Sequence, residues 1–309
     1  MLPFLMAGID EVRLDPLRVM AAIETAFRDR YNAVTIPQRI HLNTKTGVIL
    51  LMPCYDRERN SLGMKLVTVH DDPACAPHRV QSSYFVFDPD TSSLKLTIPA
   101  NQLTEGRTAA TSALVTRYLA REDAHTLGVF GTGRQARAHI EVMPLVRPFR
   151  RILVRGRDEG TSVEFANEIS RDSSVAVAAA DVRTLVAESD VICACTTSQT
   201  PLFDGRLLNP GTHLNVVGAF QPHAREVDTA TVCRSSVVVD TYEGALAEAG
   251  DLLIPLNEGQ ISRDHILADL HELVSGKRFA RRTATEITLF KSVGCALEDL
   301  ATAELLLGA

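Results

Sequence analysis

The sequence has no apolar run approaching the ~20 residues that a membrane-spanning helix needs, which argues against a membrane protein. It has no excess of basic charge. Its 32 Lys and Arg stand against 38 Asp and Glu, a net charge of -6, too acidic overall for a generic nucleic-acid binder, although a local basic patch stays open. Cysteine is sparse: six residues, irregularly spaced, form no disulfide framework. The closest pair, Cys193 and Cys195, sits in the apolar run Val191-Ile192-Cys193-Ala194-Cys195, and no second pair or histidine cluster completes a metal site. These thiols read as buried and reduced. The opening Met1-Leu2-Pro3-Phe4-Leu5-Met6 lacks a basic start and runs into Asp10 and Glu11, a poor signal peptide. No internal repeat or low-complexity segment is visible. What remains is material for a core: 45% hydrophobic and 23% charged residues predict a folded α/β protein of the cytoplasm. At ~150 residues per domain, 309 residues correspond to about two domains.

Two organisations follow one another along the chain. Asp15 is a plausible N-cap with Pro16 in the first helical position, and Leu17, Met20, Ala21, Glu24 and Phe27 recur at helical spacing. Strand-like runs occupy 47–52, 64–69, 84–87 and 94–98, the last two flanking the turn-forming Asp88-Pro89-Asp90-Thr91-Ser92. Residues 103–120 read as a helix. From His125 onward, short β-branched runs at 127–130, 152–154, 175–179, 191–194, 214–217 and 237–239 alternate with helical stretches, the signature of a parallel sheet covered on both faces. Residues 285–307, with Ile287, Phe290, Val293, Leu297 and Leu300, predict one long terminal helix.

The most informative local motif is Val129-Phe130-Gly131-Thr132-Gly133-Arg134-Gln135-Ala136, a strand running into Gly-x-Gly-x-x-Ala and then a helix. The first glycine permits the tight turn, and the second lets backbone approach a pyrophosphate. Ala136 keeps the helix close to the sheet, and the helix N-terminus offers N–H groups to the phosphates. A plain structural turn is the bland alternative. The next strand ends in Arg155-Gly156-Arg157-Asp158, with Gly156 in the slot where an acid would bind the ribose of NAD. Flanking arginines favour NADP(H), while NAD(H) stays possible because Asp158 could supply the acid.

Several stretches together resemble the ornithine cyclodeaminase/mu-crystallin family. They are Arg39-Ile40-His41-Leu42, Gly63-Met64-Lys65-Leu66-Val67, Arg107-Thr108-Ala109-Ala110-Thr111-Ser112-Ala113, the Gly131–Ala136 loop and Ala194-Cys195-Thr196-Thr197-Ser198. Further on come Asn215-Val216-Val217-Gly218-Ala219-Phe220-Gln221-Pro222, Ala247-Glu248-Ala249-Gly250-Asp251-Leu252 and Thr288-Leu289-Phe290-Lys291-Ser292-Val293-Gly294, in the family's order over nearly the whole chain. The resemblance implies an α/β fold: a Rossmann dinucleotide-binding domain, expected over 121–284, plus an α+β substrate and dimerisation domain from 1–120 and 285–309. It also implies a homodimer, and hydride exchange between nicotinamide and the α-carbon of an amino or imino acid.

The same resemblance assigns candidate residues. Arg39 matches the family's carboxylate-binding arginine, and Lys65 its active-site lysine, able to donate a proton or polarise the substrate. The bland reading of Lys65 is an edge-strand lysine facing water. Arg107 and Thr108, placed in the first turn of the 103–120 helix, could hold cofactor phosphate or substrate carboxylate. The loop residues Gly131, Thr132, Gly133, Arg134 and Gln135, with Gly156 and Arg157, are the cofactor set. Thr196 and Val217 join them as residues at strand ends, and Ser292 matches a position near the nicotinamide. Glu248 matches a substrate-pocket position or is a surface helix residue.

One departure separates the chain from the cyclodeaminase branch. The slot of that branch's loop aspartate, matched without gaps through Pro222 and Glu226, holds Phe220. His223 is an alternative acid–base group or a surface histidine. The expected activity is therefore NAD(P)H-dependent reduction of a cyclic imino acid, Δ1-pyrroline-2-carboxylate or Δ1-piperideine-2-carboxylate, to L-proline or L-pipecolate. The alternatives are ornithine cyclodeaminase, an alanine or opine-type dehydrogenase, and a non-enzymatic NADP-holding protein. The expected partners are a small cyclic imino or amino acid and a second copy of the chain, with no nucleic acid, membrane or metal.

Overall fold

A computed structural model describes residues 14–75, 79–278 and 281–307, so the opening segment read above as a poor signal peptide lies outside the described residues. In chain order it runs α1 (Pro16–Thr25), β1 (Val34–Thr35), β2 (Ile40–Thr44), β3 (Gly47–Asp56), β4 (Ser61–His70), β5 (Val80–Phe87), β6 (Leu94–Pro99) and α2 (Asn101–Leu119). There follow β7 (Thr126–Phe130), α3 (Arg134–Val142), β8 (Arg151–Arg155), α4 (Glu159–Ile169), β9 (Ala176–Ala179), α5 (Val182–Glu188), β10 (Val191–Ala194) and β11 (His213–Val216). The chain ends with α6 (Thr229–Cys233), β12 (Ser235–Val239), α7 (Tyr242–Glu248), α8 (Gly250–Asn257), β13 (Ile266–Asp269), α9 (Leu270–Val274), β14 (Ile287–Lys291) and α10 (Ala296–Leu307). It divides into two units, one of residues 1–107 and 295–309 and the other of 108–294. Both divisions fall about ten residues from the expected ones: α2 is shared between the units, and β14 belongs to the second.

The first unit is an antiparallel sheet of order β1-β3-β4-β5-β6, with β2 also on β3. Period-two burial sets its faces. Leu50, Met52, Cys54, Lys65, Val67, Tyr84 and Val86 are buried on one face, against which α10 packs. Ile49, Leu51, Leu62, Met64, Leu66, Phe85 and Phe87 alternate onto the other, less covered face. Helix α1 starts as its sequence directs, with the Asp15 carboxylate accepting from the Leu17 N–H at 2.9 Å and Pro16 at the first position. It packs on α10 and buries Val19, Met20 and Ile23, each worth about 1.5–3 kcal/mol.

The second unit is an eight-stranded parallel sheet, β13-β12-β14-β11-β10-β7-β8-β9. From β9 to β11 the order is that of a doubly wound dinucleotide fold, and it reverses between β7 and β10. The terminal segment corrects the expectation of one long helix. Residues 287–291 form a strand buried at every position between β11 and β12, and Gly294, at φ +91°, turns the chain before α10 begins. A strand covered on both faces shows no alternation, and its apolar spacing imitated a helical stripe.

Candidate active site

In the first unit, alternation sends Lys65 to the covered face of β4, a strand between β3 and β5, so it is no edge lysine facing water. Only 1% of its surface is exposed. Its neighbours Met64 and Leu66 point the other way and do not wall it. Burial and the nearby Arg107 guanidinium pull the ammonium down to about 8, while the Asp299 carboxylate pulls the opposite way. Lys65 Nζ donates to Asp299 Oδ1 at 2.6 Å. Arg107 Nε stands 2.9 Å from the same oxygen, and Arg107 Nη1 donates to Glu298 Oε2 at 2.6 Å. Glu298 and Asp299 lie in the first turn of α10, where the helix dipole favours negative charge. Thus Lys65 and Arg107, 42 residues apart by their numbering, meet at one carboxylate.

One expectation changes here. Helix α2 begins at Asn101, so Arg107 and Thr108 lie in its second turn and cannot act as a helix N-terminus. What Arg107 presents is its guanidinium, buried at 5% exposure. Arg39 ends the loop before β2, which pairs with the side of β3 away from β4.

In the second unit, β7 delivers Gly131 at φ +114°, and a Cβ there would lie 2.6 Å from the Cys195 carbonyl oxygen. Only glycine fits this turn. Gly133 starts α3 and makes no side-chain cap bond to its first turn, which begins at Arg134 and Gln135, as a phosphate cradle requires. Thr132 meets the end of β8: a Cβ on Gly156 would fall 2.8 Å from its Cγ2. Arg157 is exposed beside it. The Asp158 carboxylate accepts from the Thr161 N–H at 2.8 Å and caps α4, a bond that holds its pKa below the usual range. These features fit a dinucleotide held at Gly131–Gln135.

At the ends of β10, β11 and β14 lies a network that sequence reasoning missed. Glu226 Oε1 accepts from the Thr196 N–H and hydroxyl, each at 2.7 Å, and Oε2 accepts from the Gly218 N–H at 2.7 Å. Asp251 Oδ1 accepts from the N–H groups of Glu226 and Val227 at 2.7 and 3.0 Å. Lys291, fully buried, is 2.9 Å from Asp251 Oδ2 and donates to the Ala219 carbonyl at 2.6 Å. Burial pushes the Glu226 carboxyl up despite these donors. Asp240 Oδ2 accepts from the Ser292 hydroxyl at 3.0 Å and from the N–H groups of Val293 and Gly294. The network fixes Thr196, the Val217–Ala219 backbone and Ser292 at the strand ends. Glu248 is buried at the end of α7, whereas His223 is exposed on the loop after β11. Phe220 packs against the core. A charged residue inside an apolar strand was the available signal for Lys291, as it was for Lys65.

Comparison with known proteins agrees with this geometry. Residues 7–307 match the model of the ornithine cyclodeaminase/mu-crystallin family. The ketimine reductase mu-crystallin of Rattus norvegicus is 35% identical over 262 residues, 84% of this chain and 79% of that protein. The structure of Thermococcus litoralis Δ1-pyrroline-2-carboxylate reductase, in complex with NADH and L-proline, superimposes with a TM-score of 0.92 at 34% identity, covering 99% of this chain and 96% of that one. An archaeal alanine dehydrogenase dimer with bound NAD gives 0.88 at 25% identity, covering 95% and 91%. With its family model matched over almost the whole length, the chain belongs to the ornithine cyclodeaminase/mu-crystallin family.

Proposed function

We propose that the chain is an NAD(P)H-dependent reductase of cyclic α-imino acids, converting Δ1-pyrroline-2-carboxylate or Δ1-piperideine-2-carboxylate into L-proline or L-pipecolate. The observation that carries this reading is the buried Lys65, held beside Arg107, in a chain that also bears the Gly131–Gln135 cradle. The names of the rat and Thermococcus relatives support it. The nicotinamide, when bound, supplies a hydride to the imine carbon. Arg39 and Arg107 hold the substrate carboxylate, for which a guanidinium fork is suited. Lys65 donates the proton to the imine nitrogen; with its ammonium lowered to about 8, it is poised to give one up near neutral pH. Glu248 lines the substrate side, and Thr196, Val217 and Ser292 border the nicotinamide. Phe220, where a cyclodeaminase would present a carboxylate, leaves no loop base for ornithine. The test is NADPH oxidation against a panel of cyclic imines, pyruvate with ammonia, and ornithine. Oxidation with the imines alone is expected, and ammonia release from ornithine without added reductant would overturn the assignment.

NADPH is the preferred cofactor in this reading, because the Asp158 carboxylate is committed to its helix cap and arginines flank Gly156. The active form is a homodimer built on the outer face of the first unit's sheet, where Ile40 and Leu42 are 57% and 55% exposed. Sedimentation should give twice the chain mass, and Leu42→Asp should shift the protein toward monomer. None of the six cysteines forms a disulfide, which fits the reducing cytoplasm as the place of reaction.

A further inference from the structure

The proposed reduction needs a protonated Lys65 in a fixed place, and Lys65 does not hold that place alone. We propose that Asp299 is a positioning residue for the reaction: its Oδ1 grips the Lys65 ammonium and the Arg107 guanidinium together, fixing the proton donor relative to the carboxylate anchor. This inference rests on the reductase reading and deepens it.

Three separate elements converge on that oxygen. Lys65 comes from β4 at 2.6 Å, Arg107 from α2 at 2.9 Å, and Asp299 itself from the first turn of α10. Asp299 is fully buried, so water does not weaken its hold. Its Oδ2 has no hydrogen-bond partner among the described residues, so the carboxylate's close contacts to Lys65 and Arg107 run through the oxygen that faces the two cations. The groups around Lys65 are Met52 on β3, Tyr84 on β5, Arg107 on α2, and Glu298 and Asp299 on α10. The Tyr84 hydroxyl also has no hydrogen-bond partner among the described residues, and it occupies room that Gly63 leaves, because a Cβ there would lie 2.1 Å from its oxygen. Of these neighbours, Asp299 is the one whose carboxylate accepts a hydrogen bond from the ammonium.

The shared oxygen also suits proton transfer. In the step, an N–H bond of Lys65 breaks and an N–H bond forms at the imine nitrogen, while the carbon takes a hydride from the reduced nicotinamide. The products are the cyclic amino acid, the oxidised cofactor and a neutral Lys65, which regains its proton from solvent. A carboxylate paired with Lys65 alone would then be stranded in the interior at high cost. Asp299 keeps Arg107 at 2.9 Å, so its charge stays compensated through the cycle.

The experiment compares the full-length wild type with D299N and D299E, measuring kcat and KM for NADPH oxidation with Δ1-pyrroline-2-carboxylate from pH 6 to 10. Wild-type kcat should fall above about pH 8, where Lys65 loses its proton. In D299N the alkaline limb should move about one unit lower, because the carboxylate that stabilises the ammonium is gone. Its kcat at pH 7.5 should drop about tenfold or more, and KM for the imine should rise as Arg107 is released, with KM for NADPH unchanged. D299E should keep the wild-type limb while losing kcat, since its charge is retained but displaced by one methylene. A D299N limb at the wild-type pH would reduce Asp299 to a structural residue and overturn the proposal. If D299N does not fold, wild-type kcat and KM in D299E would overturn it equally. Should the wild type not reduce the imine at all, the reductase reading fails. The Lys65 titration, read by pH-dependent acetic anhydride labelling in wild type and D299N, still tests the hold of Asp299 on the ammonium: a midpoint lower in D299N supports it, and equal midpoints overturn it.

Discussion

Each unit buries a lysine against an aspartate, and the two arrangements differ in what surrounds the pair. In the second unit, Lys291 and Asp251 belong to a network that ends on backbone. The Glu226 and Asp251 carboxylates take N–H groups from Thr196, Gly218, Glu226 and Val227, and Lys291 gives a hydrogen to the Ala219 carbonyl. Such a network holds loops in place. In the first unit, the hydrogen bond and ion contacts of the Lys65–Asp299 pair run only to side chains. The pair tied to backbone reads as a scaffold, and the pair tied only to side chains is the one proposed above to act on a substrate.

Breaking each lysine's pairing should therefore give opposite signatures. Lys65→Met should lower kcat for imine reduction by ~10²–10⁴-fold, the range of a lost general acid, while leaving NADPH binding intact. Stopped-flow turnover and fluorescence titration of NADPH check the two halves, and unchanged turnover would remove Lys65 from the mechanism. Asp251→Ala strands Lys291 in the interior and should cost about 3–5 kcal/mol in stability, read as a lower urea midpoint. Cofactor binding should weaken with it, because the Glu226 and Val227 N–H groups lose their acceptor. A variant as stable as wild type would show that the second network carries no structural load.

Both lysines were marked in the sequence in the same way, as charges within apolar strands, yet only Lys65 was legible as a site residue. Its stretch matched a known active-site position, whereas the signal at Lys291 was lost when 285–307 read as a helix. The glycine loop was legible because its chemistry is local: turn, cradle and helix start lie within six residues, 131–136. Asp299 was not. It sits in an ordinary-looking amphipathic stretch, and its partner Lys65 is 234 residues away, a pairing no local pattern encodes. Glu226 was hidden for a related reason, since what it binds is mostly backbone N–H, and Asp251 because its partner Lys291 lay in the segment read as a helix. The period-two and β-branched runs placed most strands of both sheets, but β1, β2, β13 and β14 escaped. Strand β2 is exposed throughout and β14 is buried throughout, so neither alternates.

The smallest expected effect concerns the second unit's choice of cofactor and tests whether any of its surface is chemical as well as structural. Gly156 stands where a ribose-binding acid would, and an acid cannot simply be installed there, since its Cβ would meet Thr132 at 2.8 Å. Asp158, the nearest carboxylate in sequence, is occupied with the Thr161 N–H at 2.8 Å. That leaves Arg157, exposed at the edge of the cradle, to meet a 2′-phosphate. Arg157→Ala should then raise KM for NADPH about tenfold, the low end for a charge-assisted hydrogen bond in water, with KM for NADH and both kcat values unchanged. The effect should shrink further at high salt, as screening weakens an exposed ion pair. Equal increases for both cofactors would make Arg157 a general support of the loop, and a wild type that strongly prefers NADH would return the ribose to Asp158.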